Sequence, residues 1–189
     1  MKVFDTEIDG VKIIEPKIWR DSRGSFVETF NVDRYAQIGI TSNFVQDNQS
    51  ISSKGVLRGL HWQSGDHAQA KLVRVIKGAV WDVAVDIRKD SPSFGKHVAV
   101  TLTAGEGRQL FIPRGFAHGF LVLEDDTVFS YKCDNVYAKE YERGLLYCDE
   151  HLCVKWPDIG VRYILSEKDC TNPPLSEIEP WDASKNGVV

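Results

Sequence analysis

The sequence predicts a mainly β protein, built as a closed barrel or a sandwich, with the jelly roll as the leading version. Three observations support this class. Short apolar or alternating runs recur about every ten residues. Clusters of Gly, Pro, Asp and Ser, such as KDSPSFG and PRGFAHG, separate the runs. Helix signals are scarce, because only residues 32–38 carry a capping Asn31 and a closing Gly39.

The predicted strands follow one another along most of the chain. They cover residues 10–16, 23–30, 55–63, 70–78, 79–88, 97–103, 108–113, 118–124 and 127–133. After about residue 170 the sequence turns polar and Pro-rich, which indicates a surface segment, partly helical at its start. We therefore expect a single domain over residues 1–189, with a core from about 3 to 170 and a polar C-terminal segment from 171 to 189.

Composition narrows the class of function. The 189 residues are 42% hydrophobic and 26% charged, enough for one well-packed domain, and the net charge of −4 argues against a general nucleic-acid binder. The N-terminus has no apolar signal region, and no run is long enough to span a bilayer. The four cysteines form no C-x-x-C pair. These features predict a soluble cytoplasmic protein without membrane or nucleic-acid partners.

The stretch KGVLRGLHWQ, residues 54–63, places two polar side chains in an apolar strand. Arg58 and His61 are three residues apart, so a regular strand would point them to opposite faces. Gly59 lies between them, and a glycine inside a strand often marks a bulge. We predict a bulge or a sharp twist near Gly59, with His61 projecting into the barrel and Arg58 reaching the same cavity from the side.

Other strands also carry polar residues on a face that should be interior. Alternation in residues 70–78 puts either Lys71 or Arg74 inward, and Tyr131 lies in a later strand. Each residue taken alone fits a simpler role, because a lone strand histidine is more often a hydrogen-bonded core or surface residue and a strand tyrosine usually packs. Together they indicate a barrel with a polar pocket for a small molecule.

A metal site is not predicted. The common metal-binding pattern of cupin jelly rolls needs a His-x-His pair, and here His61 is followed by Trp62 and Gln63. His67 and His118 are spaced unlike metal ligands. This counts against a metal-dependent cupin oxygenase or isomerase.

Several long motifs, taken in order, resemble the dTDP-4-dehydrorhamnose 3,5-epimerase family. They are DSRGSFVETF, QDNQSISSKGVLRGLHWQ, QAKLVRVIKGAVWDVAVDIRKDSPSFGK, QLFIPRGFAHGFLVL, YKCDNVY and LSEKD. The resemblance covers about residues 3 to 170. It implies a cupin-type double-stranded β-helix jelly roll with short peripheral helices, a homodimer, and no metal or organic cofactor. The chain departs from the family at SGDHAQ, at His97 and around Tyr147, outside the catalytic positions.

The resemblance also implies roles for individual residues. His61 corresponds to the catalytic base, Asp169 to its partner carboxylate, Tyr131 to the opposing acid and Lys71 to the lysine beside the substrate carbonyl oxygen. The family's substrate-binding positions fall on Arg23, Phe26, Glu28, Gln46, Asn48, Arg58, His118, Tyr137, Glu142 and Lys168.

These roles suit the implied reaction, which converts dTDP-4-dehydro-6-deoxy-D-glucose to dTDP-4-dehydro-L-rhamnose. Carbons 3 and 5 both adjoin the C4 carbonyl, so one carbonyl oxygen activates both. Inversion needs a base on one face and an acid on the other. The alternatives are a single-centre epimerase, active at C3 or C5 of a related sugar nucleotide, and a non-catalytic sugar-binding cupin.

Overall fold

The structure is a computed structural model that describes residues 1–185, and these residues form a mainly β fold. The strands are β1 Lys2–Asp5, β2 Lys12–Glu15, β3 Ile18–Asp21, β4 Gly24–Val27, β5 Gln46–Ser52, β6 Leu57–Gln63, β7 Lys71–Lys77, β8 Ala79–Asp86, β9 His97–Thr103, β10 Gln109–Ile112, β11 Phe116–Val122, β12 Thr127–Cys133 and β13 Glu142–Gly144. The α-helices are α1 Val32–Ala36 and α2 Glu167–Cys170. Short 3₁₀ turns cover Gly65–His67, Lys139–Tyr141, Leu175–Glu177 and Ala183–Lys185.

Two antiparallel sheets make up the jelly roll that the sequence predicts. The first sheet has the order β1-β2-β10-β7-β12-β5, and the second has the order β13-β6-β11-β8-β9. Strands β3 and β4 form a separate hairpin that joins neither sheet. The edge strands are β1 and β5 in the first sheet and β13 and β9 in the second.

The core fills the space between the sheets because each strand alternates its side chains. Val73 and Val75 of β7 face inward and pack with Val80 of β8, while Phe120 and Phe129 stack with ring centroids 4.1 Å apart. All five are nearly inaccessible to solvent. Burying side chains of this size stabilises the fold by about 1.5–3 kcal/mol each.

All nine predicted strands are present, most of them one to a few residues shorter than expected. Four strands were not predicted: β1, β3, β5 and β13. Strand β5, QDNQSIS, is polar enough to read as a loop. It is a strand because its backbone pairs with β12 along seven positions, from Gln46 opposite Cys133 to Ser52 opposite Thr127.

Helix α1 begins where the sequence predicts. The side chain of Asn31 accepts a hydrogen bond from the backbone N–H of Arg34, and Tyr35 is the buried residue of the helix. The helix ends at Ala36, and Gly39 follows with a φ of 83°, a conformation that glycine adopts without steric cost.

The bulge that the sequence predicts in β6 is confirmed. His61 lies opposite His118 and Arg58 lies opposite Phe120, so three steps on β6 match two on β11. The close approach of Gly59 to Gly119 makes this pairing possible, because a Cβ added to Gly59 would lie 2.5 Å from the Gly119 Cα.

The C-terminal segment differs from its expected surface position at one residue. Trp181 is buried in the cluster on the outer side of the second sheet. Its backbone N–H donates to the Ile87 carbonyl and its carbonyl accepts from the Lys89 N–H, both at 2.8 Å. A Trp among Pro and acidic residues is easily read as polar surface, but backbone pairing and apolar burial fix it to the barrel. The last part of the predicted segment, 186–189, lies outside the described residues.

No helix among residues 1–185 is long and apolar enough to cross a membrane.

The glycine contact leads to a stability prediction. In Gly119→Ala the added methyl would lie 2.7 Å from the Arg58 carbonyl oxygen, so β6 and β11 must move apart. We expect a loss of about 1–3 kcal/mol in the free energy of unfolding, measured by urea denaturation. Gly105→Ala is the control, because nothing lies within 4 Å of that position. Equal stability of the two variants would contradict the proposed packing constraint.

Candidate active site

A cleft of about 750 Å³ lies at the open side of the barrel, between β5 on one edge and β6 with β13 on the other. Its lining combines polar side chains from both sheets and from the α2 region: Asn48, Gln49, Ser50, Arg58, His61, Lys71, His118, Tyr131, Glu142, Ser166, Lys168 and Asp169. All four predicted catalytic residues are among them. The tertiary structure therefore gathers residues as far apart in the sequence as Asn48 and Asp169.

His61 and Asp169 form a hydrogen-bonded pair at one wall. The Nε2 atom of His61 lies 2.5 Å from Oδ1 of Asp169, whose side chain is only 5% exposed. Strand β6 supplies the histidine. The short helix α2 supplies the carboxylate and is capped by the Ser166 side chain, which accepts from the Asp169 N–H.

The environment of Asp169 keeps it ionised. Burial opposes the charge, but hydrogen bonds from His61, Ser166 and the Gly59 backbone lower the pKa of the carboxyl below its usual value. A carboxylate in this position can orient the imidazole and stabilise its protonated form.

Tyr131 faces the pair from β12, on the inner side of the first sheet. It lies opposite Asn48 of β5 and Val73 of β7 in the strand register. Burial raises the pKa of its hydroxyl, the nearby Cys133 adds to this, and Arg58 opposes it. Tyr131 is therefore a neutral O–H donor at neutral pH.

Lys71 is the inward-facing basic residue of β7, and Arg74 points to the other face, where it lines a separate pocket. This settles the choice that the sequence left open. Burial lowers the pKa of the Lys71 ammonium, and Cys133, Asp82 and Glu142 counteract this. The site thus holds the Lys71 side chain deep in the cleft, where a positive charge on it is weakly screened by water.

His118 lies beside this lysine, in the middle of β11 rather than in the preceding turn. Its Nε2 is 3.0 Å from both carboxylate oxygens of Asp82, and both side chains are almost inaccessible to solvent. Burial lowers the pKa of His118, while Asp82 opposes the shift.

The rim of the cleft is held by a network around Glu142. The Lys168 ammonium lies 2.6 Å from the Glu142 carboxylate, and the Tyr137 hydroxyl donates to it at 3.0 Å. The Gln46 side chain accepts from the Tyr137 N–H and donates to Asn48. These five predicted binding residues are therefore connected to one another.

Arg58 reaches the cleft although it is exposed to solvent. Its guanidinium is 3.3 Å from the Ser52 hydroxyl, and it lies close enough to Tyr131 to influence the pKa of that phenol. The bulge therefore brings Arg58 and His61 to the same cavity.

Three predicted binding residues lie away from the cleft and its rim. Arg23 and Phe26 lie on the β3–β4 hairpin, with the Arg23 side chain 87% exposed and Phe26 69% exposed. They line a surface pocket of their own. Glu28 follows the hairpin and pairs with Arg34 at 3.1 Å. Within one chain these three are separate from the other eleven predicted site residues.

Two buried polar residues at the site were not predicted. Asp82 is fully buried under His118, and its signal in the sequence is one of two acids, with Asp86, in the inward register of an otherwise apolar strand, AVWDVAVD. Gln63 joins the loops around the rim: it donates to the carbonyls of His67 and Val136 and accepts from the Ala138 N–H. Only the folded structure shows these partners.

Among the described residues, no group of three or more His, Cys, Asp and Glu side chains is arranged to hold a metal ion. The four cysteines, all within that range, are free thiols.

The jelly roll and its cleft define a class of protein. A histidine from one sheet, with its paired carboxylate, and a tyrosine from the other sheet line a cavity of ligand size, and a lysine lines the same cavity. This arrangement can remove a proton from one side of a small molecule and supply one to the other side.

Comparisons with known proteins agree with this class. The family model described as dTDP-4-dehydrorhamnose 3,5-epimerase matches residues 5–177. A Shigella flexneri dTDP-4-dehydrorhamnose 3,5-epimerase is 53% identical over 170 residues, covering 89% of this chain and 93% of the relative. The chain belongs to the dTDP-4-dehydrorhamnose 3,5-epimerase family, whose members are isomerases that act on sugar nucleotides.

Solved structures give the same result. A Legionella pneumophila dTDP-6-deoxy-D-glucose-3,5-epimerase in complex with dTDP-4-keto-L-rhamnose is 50% identical, with a TM-score of 0.91 over 94% of each chain. A 3'-monoepimerase from Streptomyces bikiniensis, in complex with dTDP-quinovose, is 33% identical, with a TM-score of 0.84 over 90% of this chain and 86% of its own.

The role of Gln63 at the rim can be tested. In Gln63→Leu three backbone groups lose their partner, so we expect a loss of about 1–3 kcal/mol in the free energy of unfolding and faster amide exchange at Ala138. Gln37→Leu is the matched control, because Gln37 is exposed at the end of α1. Unchanged exchange at Ala138 would show that Gln63 does not hold this loop.

Proposed function

We propose that this chain converts dTDP-4-dehydro-6-deoxy-D-glucose to dTDP-4-dehydro-L-rhamnose by inverting carbons 3 and 5. The observation that carries the proposal is the pairing of a base and an acid on opposite walls of one cleft. His61, backed by Asp169, lies on β6, and Tyr131 lies on β12. The names of the family's members and the ligand in the Legionella structure support the substrate class.

The chemistry follows from the residue types. His61 removes the proton from the carbon beside the C4 carbonyl, and the electron pair of the broken C–H bond moves onto O4 as an enolate. Asp169 stabilises the imidazolium that forms. Lys71 places positive charge beside O4, where negative charge develops. Tyr131 then delivers a proton to the opposite face of the same carbon, which inverts it.

Two protonation states favour these roles. Tyr131 keeps its proton near neutral pH, because burial raises its pKa. Asp169 remains ionised, since its pKa is lowered by its hydrogen bonds. A second round at the other carbon uses the same carbonyl oxygen and the same groups, after each has exchanged its proton with solvent.

The rim suits a nucleoside diphosphate. Arg58 and Lys168 are cations that can approach phosphate oxygens, and Arg side chains pair with phosphate in a bidentate manner. Tyr137 is 53% exposed at the mouth, so its ring is available to stack on a base. Gln46 and Asn48 offer amide groups beside it.

The exposed hairpin supports a homodimer. Trp19 and Phe26 form an aromatic pair on the β3–β4 hairpin, and Arg23 projects from its turn, yet all three lie outside this chain's own cleft. We place these residues, with Glu28, at the nucleotide end of the partner subunit's cleft. The free thiols and the sugar-nucleotide substrate fit a cytoplasmic site of action.

A second candidate is a single-centre epimerase, favoured by the likeness to the Streptomyces bikiniensis 3'-monoepimerase. Incubation with dTDP-4-keto-6-deoxy-glucose in deuterated buffer distinguishes the two by NMR. Deuterium at both C3 and C5 supports the proposal, and deuterium at one carbon supports the alternative. The absence of deuterium at both carbons would contradict both epimerase hypotheses and would support a non-catalytic sugar-binding protein.

The catalytic pair leads to a prediction about activity. We expect His61→Ala and Tyr131→Phe each to lower kcat by about 10²–10⁴-fold, because each removes one proton-transfer group. Thermal unfolding should show that both variants stay folded. Tyr137→Phe is the control for the loss of a tyrosine hydroxyl outside the pair, and it should change mainly KM. A folded His61→Ala with near-normal turnover would overturn the assignment.

The homodimer leads to a complementation experiment. Arg23→Ala and His61→Ala should each have low activity alone. If the hairpin serves the partner's cleft, a mixture that exchanges subunits should recover activity, because one cleft of the mixed dimer then has both intact residues.

A mixture of His61→Ala with Tyr131→Phe is the matched control, since both residues belong to the same cleft of one chain and should not complement. Recovery in neither mixture, with exchange confirmed by mass spectrometry, would refute the shared site.

A further inference from the structure

We infer that Asp82 is a positioning residue: its buried carboxylate accepts the Nε2–H of His118, fixes the tautomer of that imidazole, and acts electrostatically on Lys71. Lys71 is then left as the one group of this cluster that stabilises the enolate oxygen. The kinetic part of this role rests on the proposed function, whereas the state of His118 can be measured in the resting protein.

The contacts show that Asp82 does not act directly on a ligand. It lies on the inner face of β8 and is 0% exposed, and it is absent from the residues that line the cleft. Both of its oxygens are 3.0 Å from Nε2 of His118 on the neighbouring strand. Any effect on the reaction must therefore pass through its neighbours.

The charge of Asp82 requires compensation. A buried carboxylate is costly without a cation or several hydrogen bonds, and His118 supplies only one hydrogen. Burial lowers the pKa of Lys71, and Asp82, together with Cys133 and Glu142, opposes this shift. The negative charge of Asp82 therefore favours the charged form of the lysine.

The state of His118 follows from its surroundings. Burial lowers the pKa of His118, Asp82 raises it, and electrostatic interactions with Lys71 and with the imidazole of His61 lower it further. A neutral imidazole has one N–H, and the carboxylate accepts it at Nε2. The Nδ1 atom is then an acceptor, so it can receive a hydrogen bond from a sugar hydroxyl but cannot donate one to a carbonyl or an enolate.

The pH dependence depends on every titratable group that faces this cluster. These groups are His61 on β6, Lys71 on β7, Asp82 on β8, His118 on β11, Tyr131 and Cys133 on β12, and Glu142 on β13. Burial also raises the pKa of Cys133, to about 11, so the thiol stays neutral. Asp82 and Glu142 are therefore the carboxylates that act on Lys71.

Asp82→Asn tests the role, because it keeps the shape and one acceptor oxygen while it removes the charge. The pKa of Lys71 should fall further, so its charge is lost at lower pH. The alkaline limb of the kcat profile should move to lower pH by about one unit or more. At neutral pH kcat should fall by about 10-fold or more, and KM should change less.

Asp86→Asn is the matched control. Asp86 lies on the same face of the same strand and is also 0% exposed, but its partners are Arg88, Ser91 and Ser93. This variant should lose stability without shifting the pH profile. A profile of Asp82→Asn that matches the wild type, or an equal shift in Asp86→Asn, would overturn the role of Asp82.

A second measurement does not need turnover or a folded variant. In the wild-type protein, ¹⁵N NMR of the histidine rings should show His118 as the Nε2–H tautomer from pH 6 to pH 8. An Nδ1–H tautomer or an imidazolium at pH 8 would contradict the inference, whatever reaction the protein catalyses. Failure of the proposed function would be recognised by a different result, namely the absence of deuterium exchange into the sugar with the wild-type protein.

Discussion

The contact between β6 and β11 at Gly59 and Gly119 determines much of the site. Two backbones approach there more closely than any side chain would allow. The approach accommodates one extra residue in β6, and this residue changes the alternation of the strand. As a result His61 faces the interior and Arg58 reaches the same cavity from its edge. The Gly59 N–H also donates to Asp169, so the same short segment orients both members of the His-Asp pair.

The interior of the barrel has an apolar part and a polar part. One part is apolar and close-packed around Phe120 and Phe129, and it stabilises the fold through burial. The other part holds Lys71, Asp82 and His118, which cost free energy to bury, and the hydrogen bond between His118 and Asp82 offsets part of this cost. This cluster lies deep in the cleft, where a ligand can reach the lysine. The reactivity of the cleft depends on this placement, since charges interact more strongly in a poorly solvated site.

Individual elements show where sequence patterns suffice. Strands β7 and β8 were predicted because their alternation and their turn signals are local, and the capping Asn31 marks α1 for the same reason. Strand β5 was missed, because its polar side chains give no strand signal and its pairing partner β12 lies about eighty residues away. Trp181 was missed because its burial depends on backbone pairing with Ile87 and Lys89. In the site, the catalytic positions came from motif resemblance, whereas the partners of Asp82 and Gln63 became evident only from their contacts.

Local periodicity and motifs with fixed spacing were enough to predict the fold class, the family resemblance and the acid-base residues. They also predicted the bulge, since a glycine between two polar residues of an apolar strand is typical of irregular backbone. Folding in three dimensions was needed to establish which basic residue of β7 faces inward, which buried carboxylate lies beneath His118, and that Arg23 and Phe26 lie apart from the cleft. These outcomes depend on register and on contacts between strands distant in sequence, where one residue of slip would turn every side chain to the opposite face.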